Sequence, residues 1–243
     1  MDPKAYYDEF STSYEKERAH GYHALVDELE TKIALEHVRG MRVLEAGCGT
    51  GIILERLEKD ARVALGVDLS RGMLGGARRR GLAVAQANLG AIPFASDSFD
   101  VVCSFKVLAH VPDIRGAIAE LARVTRPGGT LLLEFYNPRS IRWLAKKLAG
   151  PRKISARTDE SAVFTRYDDA AAIASYLPAG VRAVALRGIR VVTPGAFVHR
   201  IPIVSEVFTH VERMAAASPL SRLGGFLVAI LRKDPVTRSA GVR

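Results

Sequence analysis

Between residues 42 and 136, apolar β-branched segments alternate with helix-patterned ones, and this rhythm restricts the chain more than any other feature. The strand candidates are RVLEA (42–46), RVALGVD (62–68), LAVAQA (82–87), FDVVCSF (99–105) and GTLLLEFY (129–136). Between them lie IILERLEKD (52–60), SRGMLGGARRR (70–80) and DIRGAIAELARVT (113–125), whose apolar positions fall three and four apart. RPGG at 126–129 is expected to stop the last of these helices and turn the chain into the next strand. Strand–helix–strand repetition implies an α/β fold, a mostly parallel sheet with helices on both faces. Two later strand candidates, VRAVALRGIRV (181–191) and GFLVAILRK (225–233), extend it.

Other segments stand outside this rhythm. Residues 4–39 read as two helices, with ALVDELETKIALEHV amphipathic, and 138–178 opens with a basic helix, SIRWLAKKLAG, followed by a polar loop, PRKISARTDESAV. A helical piece, IPIVSEVFTHVERMAAA (201–217), separates the last two strands. Open α/β sheets bind ligands at the carboxyl ends of their strands, so these insertions are expected to form lids and substrate walls. At 48% hydrophobic and 25% charged residues, the chain has the composition of a globular protein with a core. Its longest clean apolar runs, such as FLVAIL (226–231), are too short to span a bilayer. MDPKAYYDEF lacks the basic start and apolar stretch of a signal peptide. Cys48 and Cys103 are the only cysteines and suggest neither a disulfide framework nor a metal site, so a reducing, cytoplasmic location is expected. From Pro138 onward there are 18 Lys and Arg against 7 Asp and Glu, so the net charge of +9 belongs to the C-terminal part. That field suits an anionic or phosphorylated substrate, an acidic membrane surface or nucleic acid, or simply a solvated basic surface.

LEAGCGTG (44–51) follows the first strand and places Gly47, Gly49 and Gly51 at alternate positions. G-x-G-x-G followed by Ile52 satisfies neither the dinucleotide fingerprint nor a phosphate-binding P-loop. The glycines are instead expected to admit a ligand close to backbone amides at a helix start. Glu45, just before them, could pair with a ligand amino group. Asp68 ends the second strand 23 residues later, where a carboxylate accepts from vicinal ribose hydroxyls. Asn88 follows the third strand and could accept from an exocyclic amine, with Leu69 and Leu89 flanking a purine. Amine, ribose and adenine in that order describe S-adenosylmethionine.

VLEAGCGTG, GVDLSRGMLGGAR, AIPFASDSFDVV, VLAHVPD and ELARVTRPGGTLLLEF together resemble, in order and spacing, the class I methyltransferases of the ubiquinone and menaquinone methylase group. YYDEFSTSYEKE resembles the N-terminal helix of that group, and the likeness is strong over about residues 6–136. The resemblance implies a Rossmann-like sheet of seven strands with the last antiparallel, and S-adenosylmethionine as cofactor with S-adenosylhomocysteine as product. One methyltransferase domain is implied over 1–243, with a helical cap at 1–39, a cofactor-binding core at 40–136 and substrate lids at 137–180 and 192–222. It further implies cofactor contacts by Tyr14 near the methionine end, Cys48 in the glycine loop, Met73 after the second strand and Phe105 after the fourth. Asn88 stands where the group commonly has Asp, and it keeps an acceptor oxygen.

For catalysis the resemblance places His110, in VLAHVPD, near the reactive end of the cofactor, with the structural alternative that it holds its loop together. Tyr136 is a candidate substrate wall, and Arg200 a candidate anchor for an anionic group. The function expected is methyl transfer to a small molecule such as a natural product, a quinone or a lipid-like acceptor. RNA methylation and a catalytically silent cofactor-binding subunit are the alternatives. FYNP at 135–138 follows the fifth strand rather than the fourth, so it does not signify methylation of a DNA base, and no metal is expected.

Overall fold

A computed structural model describes residues 3–11, 14–15, 18, 21–140, 143–144, 147, 164–193 and 202–235. Most of the basic helix expected at 140–150, the polar loop at 151–163, and Arg200 lie outside the described residues.

Two helices open the chain, α1 (Pro3–Phe10) and α2 (Gly21–Val38). The alternating part follows as β1 (Arg42–Ala46), α3 (Ile52–Glu58), β2 (Val63–Asp68), α4 (Arg71–Arg79), β3 (Val84–Gln86), β4 (Phe99–Ser104), α5 (Ile114–Val124) and β5 (Thr125–Tyr136). The chain continues with α6 (Ala170–Ser175), β6 (Val181–Ile189), α7 (Pro202–Ala216) and β7 (Phe226–Lys233). The seven strands form one sheet in the order β3-β2-β1-β4-β5-β7-β6. β1 to β5 are parallel, and β7 runs antiparallel to both of its neighbours. This is the expected fold class. Among the described residues no helix is long and apolar enough to cross a membrane.

The period of two along each strand divides the core. Leu44, Val102, Leu131 and Leu133 go to the face covered by α5, whose Ile114, Ile118 and Leu121 close the layer. Val43, Cys103 and Leu132 go to the opposite face, under Leu25, Val26 and Leu29 of α2 and Ile53 and Leu57 of α3. Complete burial of one such leucine is worth about 1.5–3 kcal/mol. The same alternation sends Glu45 of β1 and Glu134 of β5 toward the α2 side, both buried.

RPGG does not form the expected turn between helix and strand. Pairing starts at Thr125 opposite Phe99 and resumes at Thr130 opposite Val101. The intervening residues make a bulge inside β5, with Gly128 at φ +74°. A proline and a left-handed glycine suit a bulge as well as a turn, and Thr125 was already in register to pair.

Candidate functional site

β1, β2 and β4 end together at one cavity enclosing about 780 Å³, part of it open to solvent. Gly47, Gly49, Asp68, Leu69, Met73, Asn88, Leu89 and Phe105 line it, joined by Tyr14 and His110. The three loop glycines divide the work. All have positive φ, at +79°, +55° and +83°. A Cβ on Gly49 would meet nothing within 4 Å, whereas one on Gly47 would overlap the side chain of Val107 and one on Gly51 that of Leu82. Gly49 therefore faces open space as expected. Gly51 lines no part of the cavity; it starts α3 and lets the loop pack against α4.

Asp68 is held by the protein itself. Its Oδ2 accepts from the Gly49 amide at 2.9 Å and its Oδ1 from the Ser70 amide at 2.8 Å. Burial raises its pKa above the ordinary carboxylate value, opposed by those amides. Each oxygen keeps a lone pair for a hydroxyl donor, and the two amides fix the plane of the carboxylate. Ser70, the N-cap of α4, passes the network outward by donating its hydroxyl to Asp8 of α1 at 2.5 Å. The Asn88 Oδ1 accepts from the Gly90 amide at 2.9 Å in a local turn. That contact orients the side chain at the rim between Leu69 and Leu89.

Glu45 and Cys48 line a narrower recess beside the glycine loop, which shares Tyr14, Gly47, Gly49 and Phe105 with the main cavity. Glu45 is 3% exposed, and its Oε2 has no hydrogen-bond partner. Burial pushes its pKa well up. Cys48 is buried, and burial drives its thiol far from ionisation, which leaves it a small apolar wall rather than a nucleophile. The recess also holds Arg18, Asp27 and Lys106. The Lys106 Nζ donates to Asp27 Oδ1 at 2.6 Å and to Glu30 Oε2 at 2.5 Å, while Arg18 pairs with Asp27 at 2.8 Å. Burial opposes the charge on Lys106, but Glu30 and Asp27 more than offset it and hold its pKa above the ordinary lysine value. Lys106 itself sits at φ +59°, a left-handed conformation that non-glycine residues seldom adopt.

His110 also lines the main cavity. Its Nδ1 lies 2.9 Å from the Phe164 carbonyl oxygen, which can only accept, so Nδ1 carries the proton and Nε2 the lone pair. Tyr136 at the end of β5 places its hydroxyl 3.5 Å from that Nε2, with ring centroids 5.6 Å apart. Tyr7 of α1 packs on the other side of the imidazole, 6.5 Å between centroids, and lines the cavity. Burial raises the Tyr7 hydroxyl well above the ordinary phenol value, so it remains a neutral donor. Tyr136 touches His110 without lining the main cavity.

Tyr7, Arg18, Asp27, Glu30, Lys106 and Glu134 were not singled out by sequence reasoning. Tyr7 lies in the quoted stretch YYDEFSTSYEKE, seven residues before Tyr14, which was a usable signal. Asp27 and Glu30 interrupt the apolar face of α2 at a spacing of three, and only the fold reveals Lys106 opposite them.

A methyltransferase-domain family model matches residues 44–133. The chain is 36% identical over 138 residues to a ubiquinone biosynthesis O-methyltransferase of Methylococcus capsulatus, covering 52% of this chain and 58% of that one. It is 37% identical over 109 residues to a demethylmenaquinone methyltransferase of Mycolicibacterium paratuberculosis, covering 44% of this chain and 47% of that one. It thus spans about half the length of the curated relatives it matches. Among solved structures, a possible histamine N-methyltransferase of Thermotoga maritima superposes with a TM-score of 0.66 at 18% identity, over 94% of this chain and 98% of that one. The [4+2]-cyclase SpnF superposes at 0.65 and 19% identity, over 96% and 95%. These two show a shared fold. The matched residues 44–133 carry the glycine loop, Asp68, Asn88 and His110, and over this stretch the chain is similar to ubiquinone and menaquinone methylases.

Proposed function

We propose that this chain is an S-adenosylmethionine-dependent methyltransferase acting on a small, hydroxylated acceptor of aromatic or quinone-like character. The observation that carries this reading is one cavity lined by the glycine loop and Asp68 together with His110, which a carbonyl orients. The groups present fit the cofactor: Asp68 to accept from a ribose diol, Asn88 and the leucine pair for a purine, and the orphaned oxygen of Glu45 to accept from an ammonium group. When bound, S-adenosylmethionine supplies an electrophilic methyl group on sulfonium sulfur. The names of the quinone-pathway relatives support a phenolic or enolic acceptor, and Tyr7 and His110 provide aromatic surface for a ring in the cavity.

In this reading the protein works mainly by positioning. His110 Nε2 accepts the proton of the acceptor hydroxyl, while the Phe164 carbonyl holds Nδ1–H and stabilises the imidazolium that forms. Tyr7, kept neutral by burial, donates to the acceptor oxygen. The segments 1–39, 137–180 and 192–222 act as cap and lids around the core at 40–136, and Arg200, in the second of these lids, is the candidate anchor for an anionic group. RNA is the alternative acceptor, favoured by the excess of positive charge in the C-terminal part and opposed only by its partial internal pairing. Arg139, Arg182, Arg187, Arg213 and Lys233 each meet an Asp or Glu.

The test incubates the full chain with methyl-labelled S-adenosylmethionine, first with demethylated hydroquinones and catechols and then with cell extract. Label in an organic-extractable or small aqueous product is expected. Label in RNA would overturn the acceptor class. Cofactor binding with no transfer to any fraction would support a silent binding subunit instead.

A further inference from the structure

We propose that Glu45 is protonated in the ligand-free protein and that the ammonium group of the incoming cofactor expels this proton, so that cofactor binding is linked to proton release. This rests on the cofactor reading above.

The argument is one of charge and partners. Four carboxyl groups, Asp27, Glu30, Glu45 and Glu134, are buried together, each at most 3% exposed. Among the described residues the cations beside them are Lys106 and Arg18, and both are engaged already, Lys106 with Asp27 and Glu30 and Arg18 with Asp27. Glu134 Oε1 accepts from the backbone amide of Lys106 at 3.2 Å, while its Oε2 and the Glu30 Oε1 have no hydrogen-bond partner. Glu45 is left over. Its Oε2 has no donor, and a lone carboxylate buried in that state takes up a proton rather than bear the desolvation cost.

Its surroundings reinforce this from every side. α2 contributes Asp27 and Glu30, β2 contributes Asp68, and β4 contributes the un-ionised thiol of Cys103, with Lys106 just beyond its end. The glycine loop contributes Cys48, the N-terminal segment Tyr14 and Arg18, and β5 contributes Glu134. Lys106 favours the charged form and the three nearest carboxylates oppose it, in addition to burial. The recess adjoins the main cavity, sharing Tyr14, Gly47, Gly49, Phe105 and Lys106 with it, which puts Glu45 beside the space a ligand's amino-acid end would occupy. The exchange is balanced: a carboxylic acid and a ligand ammonium become a carboxylate–ammonium pair, and the proton leaves to solvent.

Isothermal titration of S-adenosylhomocysteine into the full chain at pH 6.5, in two buffers of different ionisation heat, reads the proton directly. Release approaching one proton is expected, with affinity rising up to about tenfold between pH 6 and pH 7. Methylthioadenosine, which lacks the amino-acid end, is expected to bind without proton release, and Glu45→Gln to bind S-adenosylhomocysteine without it. Binding of S-adenosylhomocysteine with no proton released would overturn the proposal while leaving the cofactor reading intact. Equal release with methylthioadenosine, or persistent release in Glu45→Gln, would assign the proton elsewhere and overturn it too. Failure of S-adenosylhomocysteine to bind at all would overturn the cofactor reading and this inference with it.

Discussion

Asp8 of α1 accepts the backbone N–H of Gly72 in α4 at 2.9 Å, so the first helix of the chain is fastened to the helix that starts beside Asp68. Gly72 leaves no room for a side chain there, since a Cβ would lie 3.0 Å from the Asp8 carbonyl oxygen. The same carboxylate receives the Ser70 hydroxyl, whose amide holds Asp68. α1 carries Tyr7 into the cavity, so its docking and the closure of the site are one event.

Asp8→Ala is therefore expected to loosen α1 by about 1–2 kcal/mol, the worth of hydrogen bonds to a charged acceptor. S-adenosylhomocysteine should dissociate roughly tenfold faster, with little change in thermal stability, as read by stopped-flow displacement. Ser70, then the Gly72 amide, hold the Asp8 carboxyl at about 2, below the usual 3.8. A lowered acid stabilises above its ordinary value and loses that contribution only as pH falls toward 2. The latch should consequently be independent of pH between about 5 and 9.

Gly49 and Gly51 should separate binding from stability. Ala in a left-handed conformation costs about 1–2 kcal/mol at either position. At Gly49 the new methyl projects into the cavity, so Gly49→Ala should lower cofactor affinity well beyond its effect on melting temperature. Gly51→Ala would drive a methyl into Leu82, so it should lower the melting temperature more, with ligand affinity of the folded fraction preserved. Calorimetric melts and titrations on both variants check the contrast.

These two glycines also show how far the sequence could be read. Strand alternation, the order of the glycine loop, Asp68 and Asn88, and the two N-terminal helices were legible because each depends on residues near in sequence. The packing of Gly51 on Leu82 was not, since no local pattern distinguishes a glycine that faces a ligand from one that faces a neighbouring helix. The pairing of Lys106 with Asp27 and Glu30 spans 79 and 76 residues and exists only once α2 covers the end of β4. α2 looked simply amphipathic in sequence, and two of its four acids, Asp27 and Glu30, are on the buried face. RPGG had the composition of a turn, and the register of Thr125 made it a bulge.

His110→Gln removes the proposed proton acceptor. Turnover should fall by about 10²–10⁴, the usual contribution of a positioned base. Cofactor affinity should remain close to that of the parent protein, because the imidazole sits at the acceptor end. A parallel loss of cofactor affinity and turnover would instead assign His110 to holding its loop against Phe164.

Lys106→Met tests the buried ion cluster. Removing the cation leaves Glu30 without a partner and Asp27 with Arg18 only, and breaking a buried pair in this way costs about 3–5 kcal/mol. Burial raises the pKa of Asp27, but Lys106 and Arg18 together hold it below the ordinary carboxylate range. A lowered acid stabilises at pH values above its ordinary pKa, so the parent protein has this contribution in full at neutral pH. In the variant the orphaned acids can relieve their repulsion by taking up protons, so its deficit should shrink as pH falls from 8 to 5. Melting curves of the two proteins should accordingly converge toward acid pH, and Lys106→Met combined with Asp27→Asn and Glu30→Gln should regain much of the loss at pH 8. A deficit independent of pH and not relieved by the triple variant would mean that the left-handed backbone at Lys106, rather than its charge, is what the fold requires.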